Sequence, residues 1–352
     1  MDRATVDAYE ARGPEWARNR EPIHRQEAIA FGRVVAKGAL RLDAGAGGGR
    51  YTNDLGSPIV ALDAARSMLE VVAVEAPGAM RVQADLEALP FRVGAFAGAW
   101  ASMSYVHVTR ERWPVALADL HRSLAVGALV EVSTRFGEFD GVDPRGDSIG
   151  GRFFAGLDEQ AMADLLEGAG FEVDRVSSDR HETVRGRGRR AVSLADTVGP
   201  GMRLLVCGLN PSVYSAERGV GYARPGNRFW KAALAAGLVS RPLDPMHALR
   251  EHAVGITDLC KRASTRSSAR TADEYRHGVD RVRRLVEWLR PGAVVFVGLE
   301  GFRAAVDRKA AAGPVTGGFG GRPAYVMPST SGQVVGLTID DYAAHLRAAV
   351  HH

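Results

Sequence analysis

Short apolar runs, each closed by glycine, proline or an acid, recur along this chain and read as buried strands. In the first half they begin at Leu40 and occupy Ile59–Asp63, 95–103, 123–133 and 171–176. In the second half they fall at 202–208, 255–259, 293–298 and 323–327. Helical spacing fills the intervals. Residues 1–38 carry an apolar patch at Ile29, Phe31, Val34 and Val35, and 158–170 ends on a glycine stop. Over 273–290, Val279, Val282, Val286 and Leu289 recur at helical spacing with arginines on the opposite face. Strands alternating with helices predict an α/β chain. The first half reads as a Rossmann-like doubly wound sheet, the second as a three-layer α/β/α domain on a short parallel sheet.

The chain has 352 residues, enough for two domains. The expected division is 1–195, a Pro/Gly-broken linker at 196–201, and 202–352. Composition is that of a soluble globular protein, with 46% hydrophobic and 24% charged residues. No apolar run is long enough to span a membrane, and the N-terminus lacks a signal peptide's apolar core, so a cytoplasmic protein is expected. The only cysteines, Cys207 and Cys260, read as reduced core thiols and are too few for a four-cysteine iron–sulfur cluster. No metal site is expected. Charge is uneven: residues 1–196 hold 24 Lys and Arg against 29 Asp and Glu, whereas 197–352 hold 21 against 12. The basic half suits phosphate binding. Its candidate phosphate contacts are Arg224, Lys261, Arg262, Arg266 and Arg270, each of which alone reads more readily as a solvated charge.

The densest motif follows the strand at 202–208. Gly208-Leu-Asn-Pro211 puts Asn210 just beyond a strand's carboxyl end, where ligands of open α/β sheets collect, and Pro211 stiffens the turn. Tyr222 follows on a glycine-flanked loop, then Pro225-Gly-Asn-Arg-Phe-Trp-Lys231, Gly255-Ile-Thr-Asp-Leu259 and Met327-Pro-Ser-Thr-Ser331. In this order, over about 200–350, these motifs closely resemble those of mismatch-specific uracil and thymine DNA glycosylases of the uracil-DNA glycosylase superfamily. The resemblance implies hydrolysis of the N-glycosidic bond of uracil, with thymine or etheno-cytosine as further substrates, in double-stranded DNA carrying a G-U or G-T mispair. It makes Asn210 the catalytic residue. An amide is a poor base, but its carbonyl can orient a water. Gly208 and Leu209 belong to the turn beside the base, Tyr222 stacks on it, and Ser215 lines the pocket near carbon 5. Asn227 is either a helix cap or pocket wall. Asp258 departs from the Lys or Asn that related enzymes often carry; a carboxylate there opposes charge on a departing uracilate. Ser329 and Ser331 would bond phosphates, and Thr330, Ser331, Gly332 and Gln333 would fill the space of the flipped nucleotide. No lysine nucleophile stands at the motif, so no strand cleavage and no cofactor are expected of this half.

In the first half, Asp43-Ala-Gly-Ala-Gly-Gly-Gly49 fails the Gly-x-Gly-x-x-Gly pattern of nicotinamide binding, because Arg50 takes the third glycine's place. Asp-x-Gly-x-Gly-x-Gly instead resembles the first motif of class I S-adenosylmethionine-dependent methyltransferases. That resemblance implies S-adenosyl-L-methionine as cofactor. Asp43 would orient its methionine end, and Gly45, Gly47 and Gly49 would pass beneath it. Asp63, ending the next strand, would accept from the ribose hydroxyls, and Asp85 would meet the adenine amine. The acceptor is open: neither an Asn/Asp-Pro-Pro-aromatic nor a Pro-Cys motif is present. His107 reads either as a general base or, more readily, as a core histidine. The alternative for the whole chain is a methyltransferase delivered to nucleic acid by a non-catalytic glycosylase-like half.

Overall fold

The computed structural model describes residues 1–179, 182–264 and 271–351, so Arg266 and Arg270 lie outside the described residues. The chain divides into two units: Met1–Glu167 with Phe171–Ala191, and Gly168–Gly170 with Val192–His352.

In the first unit the elements run α1 (Arg3–Arg18), α2 (Arg25–Val34), β1 (Arg41–Ala44), β2 (Ile59–Asp63), α3 (Arg66–Glu75), β3 (Met80–Gln83), β4 (Phe96–Ser102), α4 (Trp113–Ser123), β5 (Leu124–Phe136), β6 (Phe139–Gly141), β7 (Phe154–Leu157), α5 (Glu159–Gly168), β8 (Phe171–Ser178) and β9 (Thr183–Arg190). The sheet is ordered β3-β2-β1-β4-β5-β7-β6, and antiparallel β9 pairs with both β5 and β8. β1 is parallel to β2 and β4, so Asp43 and Asp63 reach the same edge. All four residues of β1 are buried, as strands covered on both faces must be. The hairpin β6–β7 carries no clear sequence signal, because its strands are short and glycine-broken.

The second unit contains β10 (Leu204–Gly208), α6 (Val213–Arg218), α7 (Phe229–Ala235), α8 (Pro245–His252), β11 (Val254–Asp258), α9 (Ala272–Leu289), β12 (Ala293–Val297), α10 (Leu299–Ala305), β13 (Gly313–Pro314), β14 (Ala324–Met327) and α11 (Ile339–His351). Its sheet is ordered β11-β10-β12-β14-β13, parallel except for β13. One core layer joins Val206, Phe229, Trp230 and Leu346; the other joins Leu205, Phe296 and the apolar stripe of α9. Thr271 and Glu274 form a capping box that starts α9, and Val279, Val282, Val286 and Leu289 turn inward.

The segment 196–201, expected to be a linker, is built into the second unit. Thr197 exchanges two 2.9 Å backbone hydrogen bonds with Ile256, and Asp196 and Val198 are buried. Asp196 accepts from Lys261 Nζ at 2.7 Å, Arg281 Nη1 at 2.7 Å and Thr257 Oγ1 at 2.6 Å. Two cations and a hydroxyl around one buried carboxylate hold it below its usual range despite burial.

Candidate functional site

The parallel strands β11, β10, β12 and β14 end along one edge of the second sheet. Cys207 pairs with Phe296, and Val297 with Met327, so the turn after Gly208 and the segment after Met327 leave that edge with only β12 between them. Arg228 ties the segment down. Its backbone N–H donates to Thr330 O at 2.9 Å, and its guanidinium donates to the carbonyls of Ser331 at 2.7 Å, Leu337 at 3.1 Å and Val334. Tyr342 Oη donates to Ser329 O at 2.9 Å. Ser329 and Ser331 are half-buried, Gly332 and Gln333 exposed. Thr330 is the exception: it is buried, so it packs under the segment instead of projecting from it.

The turn itself is laddered to the loop after β11. Leu259, Cys260 and Ser264 donate backbone N–H groups to the carbonyls of Gly208, Leu209 and Pro211 at 2.9, 2.9 and 3.1 Å. Asn210 Nδ2 donates to Pro211 O at 3.1 Å and Ser264 Oγ at 2.8 Å. A carbonyl can only accept, so the amide's nitrogen end must face Pro211. The amide is thereby locked, and its oxygen carries no hydrogen bond among the described residues.

Two side chains converge on Gly208. A Cβ on it would lie 2.3 Å from Asp258 Oδ1 and 2.9 Å from Tyr222 Oη, so no larger residue fits. Tyr222 sits at φ 58°, a left-handed conformation that costs a non-glycine residue about 1–3 kcal/mol. Its ring stacks on Phe229 at 4.2 Å between centroids and 27° between planes. Its hydroxyl is buried without a partner among the described residues. Burial, then the neighbouring Asp258, push the phenol well above its usual range. Asp258 is itself buried, which lifts its carboxyl to about 6, with Lys261 opposing the shift.

The first unit holds a cavity of about 890 Å³. Asp43, Gly45, Gly47, Asp63 and Ser104 are among the residues that line it. Asp63 Oδ2 accepts from Gly47 N at 2.8 Å and Oδ1 from Ala65 N at 2.9 Å. Each oxygen keeps a further acceptor site. Asp43 accepts from Thr52 Oγ1 at 2.7 Å. Burial raises Asp43 to about 7 and Asp63 to about 6. Gly45 has φ 73°, and a Cβ there would lie 2.3 Å from Ser104 Cβ. Ser104 Oγ is buried without a partner among the described residues. His107 also lines the cavity; its Nδ1 meets Phe153 O at 2.6 Å and its Nε2 meets Tyr9 Oη at 2.9 Å. The carbonyl fixes the proton on Nδ1, so Tyr9 donates to Nε2. Both nitrogens are engaged, and burial lowers the imidazole to about 4. His107 is therefore a structural histidine, not a base poised over a substrate.

Two family models match: the uracil DNA glycosylase superfamily over residues 195–346, and a methyltransferase domain over residues 42–131. The chain carries a uracil DNA glycosylase superfamily domain and a methyltransferase domain. Among solved structures, the Burkholderia thailandensis 1,6-didemethyltoxoflavin-N1-methyltransferase is 18% identical, covering 53% of this chain and 87% of its own, with a TM-score of 0.44. The CcbJ methyltransferase from Streptomyces caelestis is 16% identical, covering 54% and 100%, also with a TM-score of 0.44.

Within the glycosylase-superfamily domain, Gly208, Leu209, Asn210, Tyr222 and Asp258 meet at one sheet edge, with Ser329, Ser331 and Gln333 on the segment beside it. Two further expectations are corrected and one open alternative is decided. Lys261 is not a surface phosphate contact: it is 6% exposed and paired with Asp196. Ser215 is 3% exposed, and its hydroxyl accepts from Ser212 Oγ at 3.0 Å and Ala223 N at 3.3 Å, so it anchors the Tyr222 loop and offers little surface to a base. Asn227 Oδ1 accepts from Phe229 N at 2.9 Å, so it serves the start of α7 from the position before its cap residue, Arg228, and not a pocket wall. Arg224 is exposed, and Arg262 is exposed while bonding Glu274 at 2.6 Å.

In the methyltransferase domain, Gly49 and Asp85 do not line the cavity. Gly49, at φ 80°, backs onto Val72, and Asp85 Oδ2 and Oδ1 accept from the nitrogens of Met1 at 2.8 Å and Glu87 at 2.9 Å. Sequence reasoning missed Ser264 and Arg228. Arg228 lies inside the Pro225–Lys231 motif, where a long cation before two core aromatics was the available signal. Ser264 left none, being 54 residues from the amide it holds.

Proposed function

We propose that the second unit releases uracil from DNA in which it is mispaired with guanine, leaving an abasic site, with thymine and etheno-cytosine as further substrates. The observation that supports this most directly is the locked amide of Asn210. Fixed by its nitrogen end, it offers a carbonyl oxygen to align a water with the sugar carbon of an extruded nucleotide. The ring face of Tyr222 opposite Phe229 serves as the stacking shelf for the base. The segment 329–333, held by Arg228 and Tyr342, enters the duplex. Gln333 takes the vacated space, and Ser329, Ser331, Arg224 and Arg262 meet phosphates.

The first unit, on this reading, binds S-adenosylmethionine beside Asp43 and Asp63 in its cavity. The chain fits the cofactor there. Gly45 leaves no room for a side chain, Asp63 retains acceptor sites for the ribose, and the Ser104 hydroxyl can bond a ligand. Asp43, pushed up by burial, gains from a cationic ligand beside it. When bound, the cofactor supplies an electrophilic methyl group; the protein's share is to orient it and exclude water.

A base-release assay on G·U, G·T, A·U and single-stranded substrates tests the first reading. G·U should be cleaved fastest, and Asn210→Ala should lose about 100-fold in rate, the scale of a misplaced reactant. Unchanged release by that variant would remove Asn210 from the mechanism. Tight S-adenosylmethionine binding with no base release would favour the alternative, a methyltransferase delivered by a non-catalytic domain.

A further inference from the structure

The segment after β14 carries an apolar tip for which the site above has no use. Val335 is 92% exposed, and no large apolar side chain among the described residues is more so. One valine in water is ordinary by itself; its mounting is not. Its neighbours turn inward: Val334 is half-buried, and Leu337 packs against the core layer of Phe229 and Trp230. The Arg228 guanidinium grips the backbone on both sides of the tip, at the carbonyls of Ser331 and Val334 before it and of Leu337 after it. Val334 N also donates to Ser331 O at 3.1 Å, and Gly336 takes φ 88°, a left-handed bend. Val335 is therefore held out in water by backbone that is fixed before and after it. Its β-branch stiffens the side chain as well, so little rotamer freedom remains to be lost on insertion.

The surroundings suit a polyanion. Gly332 lies against the loop before α7, where a Cβ on it would come within 3.0 Å of Gly226 O, and that loop carries the exposed Arg224. Residues 219–243 hold Arg224, Arg228, Lys231 and Arg241 and no Asp or Glu, and residues 313–339 hold Arg322 and no Asp or Glu. The next acids, Asp340 and Asp341, open α11, where Asp341 accepts from Thr338 N and Oγ1 at 2.8 and 2.7 Å. Phosphates can approach acid-free chain on both sides of the tip while the tip itself meets base pairs.

We propose that Val335 is a wedge that enters between stacked base pairs of duplex DNA beside the mispair and opens the step from which the target nucleotide leaves. The assignment rests on the glycosylase reading of the second unit and adds a division of labour to it. Gln333 fills the vacated space. Val335 has no hydrogen-bonding group in its side chain, so it parts the neighbouring bases without reading them. Burying the valine among bases offsets part of the cost of unstacking. It touches no reacting atom and acts by positioning the nucleotide that Asn210 serves.

The test uses the full-length chain and a G·U duplex with 2-aminopurine, whose fluorescence rises on unstacking, next to the uracil. Fluorine at the 2′ carbon of the target sugar slows bond cleavage, so opening of the stack is read apart from base release. Saturating wild-type protein should raise the fluorescence. Val335→Ser should lose most of that rise and slow single-turnover release from the unfluorinated duplex about tenfold, the scale of one buried valine. Val335→Ile should restore both, which a general loosening of the segment would not allow. Release from a single strand has no base-pair step to open, so the duplex-to-single-strand ratio should drop in Val335→Ser. A full fluorescence rise in Val335→Ser would overturn the proposal, as would loss of the rise in Gln333→Ala alone. A wild-type chain that self-associates and comes apart on Val335→Ser would overturn it too, by giving the tip to a second copy. Val335-dependent unstacking without base release would sink the glycosylase reading and leave the wedge standing; base release without unstacking would do the reverse.

Discussion

Both units carry an acid at the carboxyl end of a parallel strand, and they hold it in different company. In the first, Asp63 accepts from the backbone N–H groups of Gly47 and Ala65, at 2.8 and 2.9 Å. In the second, Asp258 is packed against Gly208 and close enough to Tyr222 to raise its phenol. The first arrangement leaves acceptor capacity for hydroxyl groups and a cationic ligand. The second keeps a carboxyl largely protonated below about pH 6, beside the site proposed for a departing anion. Burial raises both carboxyls to about 6, so the two edges differ in the hydrogen bonds around the acid and not in its charge.

The strongest way to break this contrast is to disturb what sets the charge near Asp258. Asp196→Ala would remove the carboxylate that pairs with the buried Lys261 and Arg281, and should destabilise the second unit by about 3–5 kcal/mol. Denaturant unfolding would read that loss, and a wild-type midpoint would mean the network carries no weight. Next in size, Tyr222→Ala should cost about 1–3 kcal/mol of transition-state binding in single-turnover base release. Tyr222→Phe should keep the rate and gain about 1 kcal/mol of stability, because it removes a buried hydroxyl without a partner.

Two pH experiments sharpen the comparison. Asp43 is raised from 3.8 to about 7, so the native state binds its proton across that window and the unfolded chain does not. Its contribution is therefore complete below pH 3.8 and is lost as pH rises through about 7. Asp43→Asn should flatten that slope in thermal unfolding of the cofactor-free protein, and an unaltered slope would refute the assignment. The smallest effect is expected at Asp258. Base release should fall as pH rises through about 6 and its carboxylate forms, and Asp258→Asn should remove the dependence.

Much of this architecture is legible in the order of residues. The strand at 202–208, the helix over 273–290 and the cofactor turn from Asp43 stand out because burial repeats with the period of the backbone. Pro211 and the glycines mark turns for local steric reasons. Asp63 is legible because it ends an apolar strand, and Asn210 because it lies just beyond one. Lys261 is the instructive failure: its burial depends on Asp196, 65 residues away. Ser215 and Asp85 failed in a related way, since each was free to bond either a ligand or its own chain, the choice the sequence had left open at Asn227. Thr330 and Gly49 turned on which way a short segment faces.

The amino-acid order by itself determined the central parallel strands of both sheets and the chemistry available at each carboxyl edge, because periodicity and turn preference act over one turn or one strand. Tertiary structure alone decided which cations were spent inside, which way the Asn210 amide points, and that Arg228 grips the backbone on either side of Val335. Those outcomes follow from desolvation and hydrogen-bond pairing between distant segments, for which local sequence carries no period.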